Sequence, residues 1–333
     1  MKTLVTGGGG FLGRYIVMKL LGRGDSVRVL GRHAYSDLQA RGVETIRADL
    51  QNSRAVEQAC RGMDVVFHVG AHTSYWAPWR SYHATNVLGT RNVLDGCRKG
   101  GVRKLIYTST SSVAWAPGLL EGTDESVPYP EHYRCPYSAT KAIAERMVLQ
   151  ANGIDGLLTV SVRPHMIFGP GDPHLFPRLF DRARRRKLIQ VGDGTNRVDI
   201  VYVENASDAH LLAADRLSDG SPVNGQAYVI SQGRPVVFWK WINRILERMK
   251  MPQVNRNVSY GMARFLGAGM EMAYAALPLP GEPRLTRFLV DLLAVSHYSD
   301  ISKARNDLGY EPRISTEDGL DHTIDAFQSG YLN

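Results

Sequence analysis

The sequence predicts an α/β protein built on a doubly wound parallel sheet, followed by a smaller, mostly helical C-terminal region. Three observations predict it. Short apolar runs alternate with segments of helical periodicity over the first 170 residues, which is the pattern of repeated βαβ units. A glycine-rich turn, "TGGGGFLG", joins the first apolar run to the first periodic segment. After about Gly171 the alternation gives way to helices and isolated strands with scattered Pro and Gly.

In order, "KTLVTG" reads as the first strand. "FLGRYIVMKLLGRG" reads as a helix, with Phe11, Leu12, Tyr15, Ile16 and Leu20 at helical spacing and Gly22 and Gly24 ending it. "SVRVLGR" and "ETIRADL" are the second and third strands, "SRAVEQACRG" a helix, and "MDVVFHVGA" the fourth strand. "YHATNVLGTRNVLDGCRKGG" reads as one long helix and "VRKLIYTSTSSV" as the fifth strand. "PYSATKAIAERMVLQAN" is a helix, and "LTVSVRPHMIFGPGD" a strand running into a loop. Residues 1–170 are therefore expected to form a dinucleotide-binding unit and 171–333 a substrate-binding region. A segment at about 198–210 is expected to return to the first unit, with Val198–Ala206 reading as a further piece of sheet.

With 333 residues, 44% apolar and 22% charged, the chain has enough material for a sizeable core. Its net charge of +8 fits anionic ligands or surfaces, and equally a solvated basic face. The basic run "RLFDRARRRK" at 178–187 has no recognition motif or interleaved aromatics, so no nucleic-acid partner is expected. Cys60, Cys97 and Cys135 lack metal-ligand spacing and read as free thiols of a reducing compartment; no metal is expected. No signal-peptide pattern opens the sequence, and no run approaches the roughly 20 apolar residues of a spanning helix. The expected location is the cytoplasm, with peripheral membrane contact as an addition.

Gly7, Gly10 and Gly13 follow G-x-x-G-x-x-G between a strand and a helix. Such a turn lets backbone N–H groups at the helix start, here around Phe11 and Leu12, face a pyrophosphate, as in a Rossmann-type sheet. The second strand ends Leu30-Gly31-Arg32-His33, without the acid that binds a ribose 2′-hydroxyl. Arg32 suits a 2′-phosphate, so NADP(H) is favoured and NAD(H) stays open. Asp49 and Leu50 are placed to meet the adenine, and Gly70 and Ala71 let the backbone approach the cofactor.

"CPYSATKAIAE" puts Tyr137 and Lys141 four residues apart on one helix face, with Pro136 near the start. An ammonium beside a phenol favours the phenolate, and such a tyrosine can exchange a proton with a carbonyl or alcohol oxygen. The fifth strand ends in the hydroxyls of Thr108, Ser109, Thr110, Ser111 and Ser112, one of which is expected to bind the reacting oxygen.

Together, T-G-x-x-G-x-x-G at Thr6–Gly13 and the Tyr137/Lys141 pair resemble the short-chain dehydrogenase/reductase superfamily. "NVLGTRNVL", "PYSATKAIAE" and "RPHMIFGPGD" resemble its extended branch. "HYSDISKARNDLGYEPRIS" resembles the 3β-hydroxysteroid dehydrogenase-like group, and the resemblance runs from residue 1 to about 325. The superfamily pattern places the catalytic hydroxyl at Thr110, with Ser111 in reserve. It gives Asn86 a role supporting the cofactor site and passes Pro164 to Ile167 near the nicotinamide. The group includes sterol-4α-carboxylate 3-dehydrogenases and bacterial reductases of 2-alkyl-3-oxo acids in olefin synthesis. The Arg32 strand end and "GPGDPHL" resemble the olefin reductases more. The resemblance also implies a homodimer.

On the substrate side, 265–279 carries one charge, Glu271, and Met262, Phe265, Leu266, Met270, Ala273, Tyr274 and Leu277 recur at helical spacing. With a second apolar piece at 285–294 and "PLPGEP" between, two readings stand. One is a packed hairpin covering the pocket; the other is an interfacial helix pair that meets a membrane or pathway enzyme. Trp76 and Trp79 are expected to wall the pocket, and His72, Tyr75 and His165 are further candidates. The leading expectation is an NADP(H)-linked 3-oxo acid reductase or 3-hydroxy dehydrogenase acting on a lipid. The apolar 262–294 region argues against an NDP-sugar epimerase or dehydratase, and intact Thr110, Tyr137 and Lys141 argue against a non-catalytic dinucleotide sensor.

Overall fold

The computed structural model describes residues 1–74, 76–115, 121–277 and 279–330; Tyr75 lies outside the described residues. Strands β1 (Lys2–Thr6), β2 (Ser26–Gly31), β3 (Glu44–Arg47), β4 (Val65–His68) and β5 (Lys104–Thr108) belong to one sheet. Two later strands complete it, β6 (Leu158–Pro164) and, after the short β7 (Met166–Phe168) and β8 (Ile200–Tyr202), β9 (Gln226–Ile230). The spatial order is β9-β6-β5-β4-β1-β2-β3, and every pair is parallel. Helices cover both faces, so the central strand is buried beyond its first residue: Thr3, Leu4, Val5 and Thr6 are 0% exposed.

The period of two splits each strand between two cores. Leu4, Val66, Leu105 and Tyr107 face one core with Val56, Cys60, Val93, Cys97 and Val148. These come from α2 (Ser53–Cys60), α3 (Gly89–Gly100) and α4 (Pro136–Gln150), which follow α1 (Phe11–Gly22) in the chain. Val5, Phe67 and Ile106 face the other, shared with Ile16 and Val17 of α1. This second core runs without a break into the later part of the chain, through Phe168, Phe176, Tyr202, Trp241 and Leu320. Complete burial of each such side chain stabilises by roughly 1.5–3 kcal/mol.

Three expectations are corrected. The fifth strand stops at Thr108, because the last ladder bond runs from Ser109 N to Val162 O and the Thr110 hydroxyl then caps a 3₁₀ turn, Ser111–Ala114. The single helix expected at 82–101 is a wide π turn, His83–Leu88, followed by α3, which ends on left-handed Gly101. Val198–Ala206 does not join the main sheet as a strand. Ile200–Tyr202 pairs with Met166–Phe168 in a separate two-stranded ladder, and the chain turns at Val203 into α6 (Val203–Arg216), after α5 (Leu175–Arg184). It is α6 that returns, packing on α1 and on the sheet, while the strand that extends the main sheet is β9.

After α7 (Phe238–Arg248), the apolar segments form a helix hairpin, α8 (Tyr260–Ala276) and α9 (Arg287–Ala294), followed by α10 (Thr316–Gln328). Ser259 and Thr286 cap the two hairpin helices. A Cβ on Gly267 would lie 3.1 Å from Arg287 N, so the helices approach closely there. Glu271 clamps the start of α9, accepting from Arg287 N at 2.7 Å and Arg287 Nε at 2.6 Å. The outer face of α8 is uncovered: Phe265 is 76% and Met272 68% exposed, with Met262, Leu266 and Leu277 also exposed. Among the described residues no helix is long and apolar enough to cross a membrane.

Candidate active site

The strand order reverses between β1 and β4, and a crevice opens at their carboxyl ends, where α/β sheets bind ligands. The residues there are shaped for close backbone approach. Gly7 has φ +69°, and a Cβ on it would meet Gly70 Cα at 2.7 Å. Gly10 N donates to Gly7 O at 2.9 Å, and a Cβ on Gly13 would lie 2.3 Å from that oxygen. Gly10 is the N-cap of α1 and provides no side-chain cap, so the first-turn N–H groups around Phe11, Leu12 and Gly13 have no side-chain capping partner. That is an anion cradle, and it fits a dinucleotide pyrophosphate.

Beneath it runs a buried chain of hydrogen bonds. The Thr6 hydroxyl meets His68 Nδ1 at 2.7 Å, His68 Nε2 meets the Thr90 hydroxyl at 2.9 Å, and Thr90 donates to Asn86 O at 2.6 Å. Burial, then the charge of Lys141, pushes His68 down to about 3, so it serves as a neutral bridge. Asn86 accepts from His72 N at 2.8 Å and donates to the Thr140 hydroxyl at 3.1 Å, tying the loop after β4 to the helix that carries Tyr137.

Along the crevice the other expected residues line up. Leu50 is buried under Gly70 and Gly89, and Asp49 beside it accepts from Gln51 N at 2.9 Å. Ala71 is half-buried beyond Gly70. Arg32 is exposed at the end of β2, and after partial burial its charge is the next cause that holds His72 below its ordinary value. Tyr35, which no sequence motif singles out, lies over the turn: a Cβ on Gly9 or Gly31 would fall within its ring or hydroxyl.

At the other end, α4 presents Tyr137 in its first turn and Lys141 one turn later. Lys141 is buried, donates to Thr108 O at 2.6 Å, and stands 4.1 Å over the Tyr107 ring. Burial pushes it down to about 7, opposed by the carboxylate of Glu145. Glu145, a further turn along the helix, is itself fully buried against Arg163 at 2.7 Å, with Tyr129 and Ser161 donating to it. That network lies behind Lys141, and the spacing Lys141–Glu145 on one helix face is the signal that could have found it.

The Thr110 hydroxyl accepts from Ser112 N at 3.3 Å and lies 3.2 Å from the Ser112 hydroxyl, to which Ser138 of α4 donates at 3.1 Å. Pro164 ends β6 opposite Ile230, and Ile167 follows on β7, paired with Val201. Tyr137 packs with Trp115, Cys135 and Phe288, so the start of α4 touches the hairpin. His165 faces away into a buried cluster: its ring stacks on His297, and its Nε2 is 3.2 Å from the Ser299 hydroxyl. Trp76 meets Tyr274 of α8 edge to face, which puts this predicted wall residue against the hairpin; Trp79 is exposed.

Comparison with known proteins accords with this arrangement. Residues 4–259 match the model of the 3-beta hydroxysteroid dehydrogenase/isomerase family. The chain is 46% identical over 323 residues to a 2-alkyl-3-oxoalkanoate reductase of Stenotrophomonas maltophilia, covering 96% of this chain and 97% of that one. It is 34% identical over 330 residues to a mouse (Mus musculus) sterol-4-alpha-carboxylate 3-dehydrogenase, covering 98% and 91%. In fold it resembles a dTDP-glucose 4,6-dehydratase double mutant from Streptomyces venezuelae solved with NAD bound. The TM-score is 0.78 at 22% identity, covering 99% and 98% of the two chains.

Proposed function

From the premise that this chain belongs to the 3-beta hydroxysteroid dehydrogenase/isomerase family, a family of oxidoreductases, we propose that it reduces 2-alkyl-3-oxo acids with NADP(H). The observation that carries the reading is the 46% identity to a reductase so named, over nearly the whole of both chains. The site supplies parts suited to it. A nicotinamide whose pyrophosphate rests on Gly7, Gly10 and Gly13 would supply or accept the hydride. Tyr137 gives its proton to the ketone oxygen in reduction, or takes the alcohol proton in oxidation. Lys141 holds the phenol's environment positive when it is charged, and Thr110 orients the reacting oxygen. Asn86 and His68 keep the floor of the site in register. The exposed guanidinium of Arg32 supports a 2′-phosphate and hence NADP(H).

A second reading, a sterol-4α-carboxylate 3-dehydrogenase, is favoured by the 34% identity to the mouse enzyme. Both substrate classes carry an oxygen function two carbons from a carboxylate on a bulky apolar frame. Absorbance of NADPH and NADH is followed with a 2-alkyl-3-oxo acid, a 3-oxosteroid and an NDP-sugar. Turnover of the oxo acid is expected; turnover of neither lipid ketone rejects both readings.

The hairpin supports contact with an anionic lipid surface. The loop joining its two helices is held by α5, where Arg178 pairs with Glu282 at 3.1 Å and Arg182 donates to Arg284 O at 3.3 Å. Burial and the nearby charges of Arg178 and Arg284 hold Arg182 below its ordinary value, a sign of crowded positive charge. The strand pair Gln190–Val191 and Asn257–Val258 brings the end of the basic run to the start of α8. Apolar side chains flanked by guanidinium groups match an anionic bilayer interface.

A further inference from the structure

We propose that a cavity beside Tyr137 seats the carboxylate of the substrate, held by the Arg134 guanidinium. The proposal rests on the oxo-acid reading above and names how that acid is recognised. The cavity measures about 280 Å³ and is lined by Trp115, His132, Arg134, Cys135, Ser138 and Phe288, together with Tyr133. It adjoins the reacting end of the site. Trp115, Cys135 and Phe288 are the residues Tyr137 packs against, and the Ser138 hydroxyl leads through Ser112 to Thr110.

Arg134 brings a positive charge to the wall, and no carboxylate among the described residues lines the cavity. Trp115 is only 9% exposed and gives the wall an apolar ring face; its Nε1 is fully covered and does not face the cavity. Tyr133 does not compete, because its hydroxyl already donates to Val113 O at 2.9 Å. Arg134 bonds Asp291 of α9, but so do Arg264 at 3.1 Å and the Tyr260 hydroxyl at 2.7 Å. Two guanidinium groups thus share one fully buried carboxylate, which leaves one positive charge in excess at the cavity wall. A carboxylate offers acceptor lone pairs to the Arg134 guanidinium, in charge-assisted bonds.

Size fits the same occupant. At roughly 30 Å³ per water, the cavity holds about nine waters. That accommodates the acid end of a 2-alkyl-3-oxo acid and excludes its two alkyl chains, which would leave along the hairpin. Seating the carboxylate there would also set C3 against Tyr137, because C3 lies two carbons from it.

The test compares a 2-alkyl-3-hydroxy acid with its methyl ester, oxidised with saturating NADP⁺. The ester keeps the carbon frame and removes the charge. The readout is the ratio of kcat/KM for acid over ester in wild type, Arg134→Gln and Arg134→Lys. Because both substrates meet the same protein, partial unfolding of a variant cancels. Wild type is expected to prefer the acid by about ten- to a hundredfold. Arg134→Gln should collapse that preference toward unity through KM, and Arg134→Lys should restore part of it. Equal use of acid and ester by wild type overturns the proposal, as does an undiminished acid preference in Arg134→Gln. Turnover of neither compound by an enzyme that binds NADP⁺ overturns the oxo-acid reading, and this inference falls with it.

Discussion

Gly13 and Gly269 both lie inside helices, and an added methyl group would meet opposite surroundings. On Gly13 it would stand 2.3 Å from Gly7 O and 2.9 Å from Gly8 Cα, all of it backbone that cannot swing aside. On Gly269, in α8, it would meet nothing within 4 Å. The first 170 residues pack strand, turn and helix against one another at the crevice, so backbone approach dictates residue choice there. The outer face of the hairpin is constrained by neither neighbour nor polarity, and it carries Phe265 and Met272 into the open. Close packing on one side and an uncovered apolar face on the other give the two regions opposite tolerance for an added methyl group.

The largest expected effect breaks the chemistry without touching the packing. Tyr137→Phe removes one hydroxyl, and kcat should fall by about 10²–10⁴-fold while NADPH binding, followed by fluorescence, persists. Retained turnover would show that another group supplies the proton. Next comes the glycine pair itself. Gly13→Ala should destabilise by about 1–3 kcal/mol in a denaturant melt and abolish cofactor binding. Gly269→Ala should instead stabilise by about 0.5–1 kcal/mol through helix propensity. Effects of the same sign at both sites would erase the contrast between the regions.

Cofactor choice sharpens the nucleotide side. Arg32→Asp should move the kcat/KM ratio from NADPH toward NADH by at least about tenfold, since a charge-assisted phosphate contact is replaced by repulsion. An unchanged ratio would separate Arg32 from the 2′ position. On the hairpin side, Phe265→Ser with Met272→Ser should leave thermal stability within about 0.5 kcal/mol per site, because both side chains are exposed. The same pair should cut co-sedimentation with phosphatidylglycerol-rich vesicles by about tenfold or more. Equal binding to phosphatidylcholine vesicles, or no loss in the variant, would leave the open face without a lipid role.

How far the sequence could be read follows from how local each feature is. The glycine spacing, the helix that opens at Phe11 and the four-residue offset of Tyr137 and Lys141 are set within one turn or two, where periodicity reports directly on the backbone. The boundaries that moved were decided elsewhere. β5 ends where Ser109 finds Val162, and the π turn at His83–Leu88 lies where Asn86 reaches both His72 and Thr140. Cys60 and Cys97, far apart in sequence, meet as buried thiols, and their mutual hydrogen bond and burial raise Cys97 well above its usual range.

By itself, then, the sequence determined the βαβ rhythm, the phosphate-facing turn and the residue types able to move a proton, since each is written in neighbouring positions. The tertiary structure alone decided three things. β9, not the segment near residue 200, extends the sheet beside β6. Arg134 and Arg264 converge on Asp291 from 157 and 27 residues away. The Trp115 N–H is buried with no hydrogen-bond partner among the described residues, in the cluster Tyr137 packs on. No local pattern encodes these. Strand partners, shared charges and unmet donors exist only once distant segments have closed on one another and excluded water.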